Sequence, residues 1–307
     1  MTNANMFEKI TLIGLGLIGS SLAHAIKRSH LTGHLTGYDV SADVRQIATE
    51  ISLVDDVASD ISTAVAHADL VILCAPPGSM GSIGAAIAPH LKPGSILTDV
   101  GSTKASVIES VGPHLSPDIH FIPGHPIAGT EQSGPRAGFP ELFDRRWCIL
   151  TPLPDANPQA LEKLTAFWQA IGSNVEIMDA KHHDLVLAIT SHVPHLIAYN
   201  IVGTAADLET VTQGEVIKYS AGGFRDFTRI AASDPTMWRD VFLNNREAVL
   251  EMLGRFTEDL ISLQRAIRWG EGDTLFDLFT RTRAIRRSII DAGQDSAAPD
   301  FGRGKKH

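Results

Sequence analysis

Short apolar runs alternate with stretches of helical length along the first 180 positions of the chain. The apolar runs are KITLIG (9–14), HLTGYDV (34–40), DLVILCAP (69–76), GSILTDVG (94–101), IHFIPG (119–124), WCILTP (147–152) and NVEIMD (174–179). Several are continuous rather than alternating, as expected of strands covered on both faces of a parallel sheet. Residues 17–28, 80–91, 104–115 and 158–171 lie between them and predict helices. Strand and helix in turn predict a doubly wound α/β domain over residues 1–179. The proline-rich TPLPDANPQ (151–159) reads as a loop, because the alternation resumes after it. Past position 180 the strand pattern stops, and 181–208, 236–268 and 274–292 predict long helices. An all-helical second domain is therefore expected over 180–292. The polar segment 293–307 has no apolar period and is expected to be disordered.

At 307 residues the chain exceeds one ordinary hydrophobic core, which agrees with two domains. Its 26 basic and 35 acidic residues give a formal charge of −9. Such a chain repels nucleic acid and anionic membranes, so neither is expected as a partner, and an anionic substrate needs a local arginine cluster. Cys74 and Cys148 sit in apolar runs and read as small buried hydrophobes in a reducing compartment. No secretory signal pattern opens the sequence. The apolar stretch 185–206 is interrupted by Ser191, His192, Pro194, His195 and Asn200, so a buried helix is expected rather than a membrane span. A cytoplasmic protein is the resulting expectation.

Gly14-x-Gly16-x-x-Gly19 follows the first strand directly and opens a helix. The glycines permit a tight turn and let backbone N–H groups approach a pyrophosphate at the helix N-terminus. Leu17 and Ile18, inside the motif, join this cofactor-binding set. Asp39 ends the next strand 20 positions after Gly19, where a carboxylate bonds a ribose diol. A Rossmann-type domain is the consequence. Asp39 would repel a 2′-phosphate, so NAD is favoured over NADP, although Arg45 partly offsets that. The CAPPGSM turn (74–80) places Ala75 and Pro76 beside the cofactor crevice.

A substrate that gives up hydride also gives up a proton, so the chain must supply a base. Ser102 in DVGSTK (99–104) and His125 in GHP (124–126) are expected on loops at the carboxyl ends of parallel strands, the ligand-binding edge of open α/β sheets, with His125 in an exposed setting between Gly124 and Pro126. Dehydrogenases of β-hydroxyacids instead place a lysine in the first helix of the second domain. Residues 185–208 contain no lysine but do contain His192 and His195, which favours histidine as the base. Those two histidines lack a third ligand at suitable spacing, so no metal is expected. Trp238 and Phe227 read as core, and His182 as solvent-facing.

Together the GLGLIGSSLA, DVGSTK, PGHPIAGTEQSG, SHVPH and GGFRDFTRIAASDPTMW segments, in this order, resemble the prephenate and arogenate (cyclohexadienyl) dehydrogenases of tyrosine biosynthesis. The resemblance implies NAD-dependent oxidative decarboxylation of a dicarboxylate, in a homodimer formed through the helical domain. It makes His125 the base at the ring C4 hydroxyl and Ser102 its partner there, close to the cofactor. Glu131 would line the pocket mouth. Arg229 would hold a substrate carboxylate, with Asp226 nearby as its orienter. His195 would contact the substrate side chain, and His183, 12 residues earlier, is a further candidate behind it. Arg225 and Arg229 are four apart and share a face if helical. Neither a fused mutase nor an amino-acid-sensing domain is expected. Prephenate and arogenate differ only in a keto or amino side chain, and both stay open.

Overall fold

The computed structural model describes residues 5–130, 132–212, 218 and 222–291. The tail 293–307 and Glu131 lie outside the described residues. Two compact units divide the chain, residues 1–250 and 251–307.

Six parallel strands form the main sheet: β1 (Phe7–Ile13), β2 (Thr32–Tyr38), β3 (Asp56–Val57), β4 (Leu70–Leu73), β5 (Ile96–Asp99) and β6 (His120–Phe121). Their order is β3-β2-β1-β4-β5-β6, so the chain reverses direction across the sheet between β1 and β4. Ligands bind outside the carboxyl ends of the strands at such a switch point. The register makes this edge flush. Ile13 is level with Tyr38 and Leu73, and Leu73 with Asp99. The glycine loop, Asp39, the Cys74 turn and the Ser102 loop therefore all leave the sheet side by side.

The continuous apolar run of β4 serves two faces. Leu70 and Ile72 pack with Leu22 and Ile26 of α1 (Leu17–Arg28). Val71 and Leu73 pack in the opposite layer. The intervening helices are α2 (Ala42–Glu50), α3 (Ile61–Val65), α4 (Met80–Ile87), α5 (Ala105–Val111) and α6 (Pro158–Ala170). Val65, Met80, Ile87 and Val107 of α3, α4 and α5 fill the second layer, while Phe167 and Trp168 of α6 join the first. Each fully buried Leu or Ile contributes about 1.5–3 kcal/mol.

The last strands do not extend this sheet. β7 (Gly124–Pro126), β8 (Trp147–Leu150) and β9 (Asn174–Ile177) form a second, three-stranded one. β7 runs antiparallel to β8, and β8 parallel to β9. The expectation of a single parallel sheet is corrected here, because an apolar run carries no information about strand direction.

Helices follow: α7 (Ala180–Leu187), a π turn (Ala188–His192), α8 (Val193–Thr212), α9 (Gly222–Thr228), a 3-10 turn (Arg229–Ala232), α10 (Pro235–Asn244), α11 (Arg246–Trp269) and α12 (Gly272–Asp291). Asp179 caps α7 by accepting from Lys181 N and His182 N, at 2.9 and 3.2 Å. The helix expected over 181–208 is present and runs on through the π turn, close to Pro194, which cannot donate to the helical ladder. Ala180–Leu208 is long and apolar enough to cross a membrane, yet it carries fully buried His183 and His192 within the fold. The expectation of a buried helix is corrected in part: Ile201, Val202 and Leu208 are 38%, 39% and 49% exposed.

Candidate active site

Gly14 adopts φ +99°, and a Cβ there would lie 2.5 Å from the Cys74 carbonyl oxygen. A Cβ on Gly19 would lie 2.0 Å from the Gly14 carbonyl oxygen. The first and third glycines are thus closed off by the protein's own backbone. Gly16 faces open space, with nothing within 4 Å of a built Cβ, and so leaves room for a pyrophosphate. Leu17 and Ile18 form the half-buried first turn of α1, where free N–H groups favour an anion. Asp39 accepts from Leu15 N and Ser41 N, each at 2.9 Å, which fixes its carboxylate at the end of β2. Arg45 donates to the Asp39 and Val40 carbonyl oxygens at 2.6 and 3.1 Å, so its guanidinium is engaged with backbone. Ala75 is half-buried and Pro76 exposed at the lip of the neighbouring turn. These residues fit a dinucleotide.

Beside this cradle lies a buried ion pair, Asp99 with Lys104, both with 0% exposure. The carboxylate also accepts from Gly101 N and Gly124 N at 2.7 and 3.2 Å. The ammonium donates to Gly124 O at 2.6 Å. One pair therefore stitches the Ser102 loop to the strand that carries His125. Burial pushes the Asp99 pKa up and the Lys104 pKa down, and each charge opposes that shift in the other.

His125 lies on β7 and is only 8% exposed, which corrects the expected exposed loop. Its Nδ1 is 2.8 Å from His183 Nε2, and His183 Nδ1 is 2.8 Å from Asp184 Oδ1. The Asp184 carboxylate accepts from Lys104 N (2.8 Å) and Ala105 N (2.9 Å) at the start of α5. The protons follow from these partners. An ionised carboxylate only accepts, so His183 carries its proton on Nδ1 and presents a lone pair at Nε2. His125 must then donate from Nδ1, which leaves its Nε2 as the acceptor. Burial, followed by the positive fields of His183, Lys104 and His192, holds the His125 pKa well below 6.5. The ring is a neutral base at neutral pH.

Ser102 is half-buried in the loop after β5. His195 stacks on Trp238 with centroids 3.6 Å apart and planes at 22°. Its Nδ1 donates to Ser191 O at 2.8 Å, which leaves Nε2 as the acceptor of the neutral ring. Arg229 opens the 3-10 turn after α9, is exposed, and lies near enough to His195 to disfavour its charged form. Asp226 pairs with Arg225 at 3.2 Å. Trp238 is 7% exposed and belongs to the core, but Phe227 is 44% exposed and does not. His182 is exposed. Asp99, Lys104, Asp184 and Asn245 are the site residues that sequence reading missed. The signal for Asp184 lay next door, as a carboxylate following a candidate histidine.

Residues 22–177 match the family model described as prephenate dehydrogenase, nucleotide-binding domain, and residues 179–281 match prephenate dehydrogenase, dimerization domain. The chain belongs to the prephenate dehydrogenase family. Among members of this family, it is 44% identical over 284 residues to the cyclohexadienyl dehydrogenase of Zymomonas mobilis, covering 92% of this chain and 97% of that protein. It is 32% identical to the prephenate dehydrogenase of Bacillus subtilis, over 96% of this chain and 80% of the relative. A crystal structure of Aquifex aeolicus prephenate dehydrogenase in complex with hydroxyphenyl propionate and NAD+ superposes with a TM-score of 0.86 at 31% identity, covering 92% and 98% of the two chains. Synechocystis arogenate dehydrogenase gives a TM-score of 0.77 at 28% identity, over 92% and 99%.

Proposed function

We propose that this prephenate dehydrogenase family member oxidatively decarboxylates prephenate, arogenate or both, with NAD, in tyrosine biosynthesis. The observation that carries the reading is the Asp184–His183–His125 chain, which presents a neutral acceptor nitrogen beside a dinucleotide cradle. NAD, when bound, accepts the hydride that leaves ring C4.

The residues of the chain do the rest. His125 Nε2 takes the C4 hydroxyl proton as the C4–H bond breaks, and Ser102 bonds the same oxygen. His183 and Asp184 stabilise the imidazolium that forms. The growing C4 carbonyl draws electrons through the ring from the C1–carboxylate bond, and carbon dioxide departs. The ring becomes aromatic, and His125 returns its proton to the phenolate oxygen, so no net proton is released. Arg229 pairs with a carboxylate of the dianion, and His195 meets its side chain; an acidic chain needs such a local cation. Glu131 is assigned to the pocket mouth.

The same reading divides the chain at 179/180 into a cofactor half and a substrate and dimerisation half. It makes the enzyme a homodimer of the cytoplasm, where Cys74 and Cys148 remain reduced thiols. Nicotinamide reduction followed by absorbance, with prephenate and arogenate each offered NAD and NADP, tests it. Turnover with NAD is expected, and His125→Asn should lower kcat by about 10²–10⁴-fold while NAD still binds. Folded, NAD-binding protein that turns over neither substrate refutes the reading.

A further inference from the structure

Asn245 lies between α10 and α11, 6% exposed, and has no part in the scheme above. Its side-chain Nδ2 donates to the Asp184 carbonyl oxygen at 2.8 Å. A carbonyl only accepts, so this contact fixes which end of the amide is the nitrogen. The same Nδ2 lies 3.1 Å from His192 Nδ1. His192 Nδ1 must therefore accept, and its proton sits on Nε2.

That Nε2–H is fully buried and has no hydrogen-bond partner among the described residues. An unmet buried donor is costly and is usually retained for a functional reason. The backbone of Ser102 faces it closely enough to favour the charged ring, so the group presented is the Ser102 carbonyl. His192 thus neighbours the loop that carries Ser102.

We propose that Asn245 is a positioning residue: it locks His192 as the Nε2–H tautomer, and His192 holds the Ser102 loop in its reacting position through the Ser102 carbonyl. This rests on the role given to Ser102 above. The charged and titratable groups around His192 are Asp184, His183 and His195 from the α7–α8 run and His125 from β7. Trp238 packs edge-on against the ring at 6.1 Å. Burial leads these in pushing the His192 pKa down to about 4, so the wild-type ring is neutral across the working range.

Asn245→Asp separates a tautomer lock from plain packing. The introduced carboxylate can only accept, so it draws the proton to Nδ1 and raises the His192 pKa. Below that raised pKa the imidazolium still offers Nε2–H to Ser102. Above it, an Nε2 lone pair faces the carbonyl and repels it. The variant's kcat should therefore fall as pH rises, on a limb that the wild type lacks. Histidine ring ¹⁵N shifts of the free protein should show His192 as the Nε2–H form in wild type and as Nδ1–H or imidazolium in the variant. His192→Leu should lose kcat on the order of 10²-fold, the scale of a small misplacement at the reacting centre. His192→Gln, which keeps a donor near Nε2, should recover most of it. An Nδ1–H tautomer in wild type, a variant profile parallel to wild type, or equal losses in Leu and Gln would each overturn the proposal. The tautomer measurement stands even if neither substrate is turned over, so the two failures can be told apart.

Discussion

At the scale of single residues, the histidines of the site all titrate low, and for one shared cause. Burial lowers the pKa of His125, His183, His192 and His195. For catalysis, a base whose pKa lies well below 6.5 is already deprotonated at neutral pH. The kcat/KM profile should accordingly stay flat from pH 8 to about 6.5 and drop only in more acid solution. A rising limb centred near 7 would contradict the neutral His125. For stability the sign is the same. Each ring binds its proton more weakly when folded, so the unfolded chain takes up more protons as pH falls below about 6.5. Stability is complete above that pH and is lost on the way down. His192 alone, shifted from 6.5 to about 4, accounts for about 3 kcal/mol. Urea midpoints followed by circular dichroism should decline steadily from pH 6.5 to 4. The His192→Leu variant should flatten that decline.

At the scale of elements, the tie between β5 and β7 is the Asp99–Lys104 pair. Lys104→Met leaves a carboxylate buried and unpaired, which costs about 3–5 kcal/mol. Adding Asp99→Asn removes that charge, so the double variant should be less destabilised than the two single losses summed. A urea-denaturation cycle showing simple additivity would mean that the charges do not meet. Reading the sequence located much of this, and its misses have physical causes. The glycine loop and Asp39 were legible because backbone geometry demands glycine and a strand end at fixed spacing. Residues 147–150 were legible as a strand, but its sheet and direction were not, because β7 is three residues long and pairs antiparallel. His125 looked exposed between a glycine and a proline. It is buried because Asp99 and Lys104 grip Gly124 from residues far away in the chain. Asn245 carried no signal, since its value lies in two acceptors, 61 and 53 positions away, that only folding brings together.

At the scale of the molecule, α8 exposes apolar side chains that the proposed second copy would cover. Its first turns carry buried Val193 and Ala198, and Tyr199 donates to Ser233 O at 2.7 Å. Its later turns expose Ile201, Val202 and Leu208. Monomers rarely leave contiguous apolar surface open, and residues 179–281 match a dimerization-domain model. A second copy covering this face explains the pattern better than lipid does, because the same helical run keeps His183, Asp184 and His192 buried in the site. In a twofold interface the same patch meets itself, so one substitution acts twice. Val202→Glu would bring two carboxylates into one apolar contact, and burying an unpaired charge is strongly unfavourable. Light scattering should give the mass of two chains for the wild type at micromolar concentration and should move toward one chain for the variant. A wild type that stays at one chain over the whole concentration range would place the second copy elsewhere or nowhere. The exposed turns of α8 would then need a different partner.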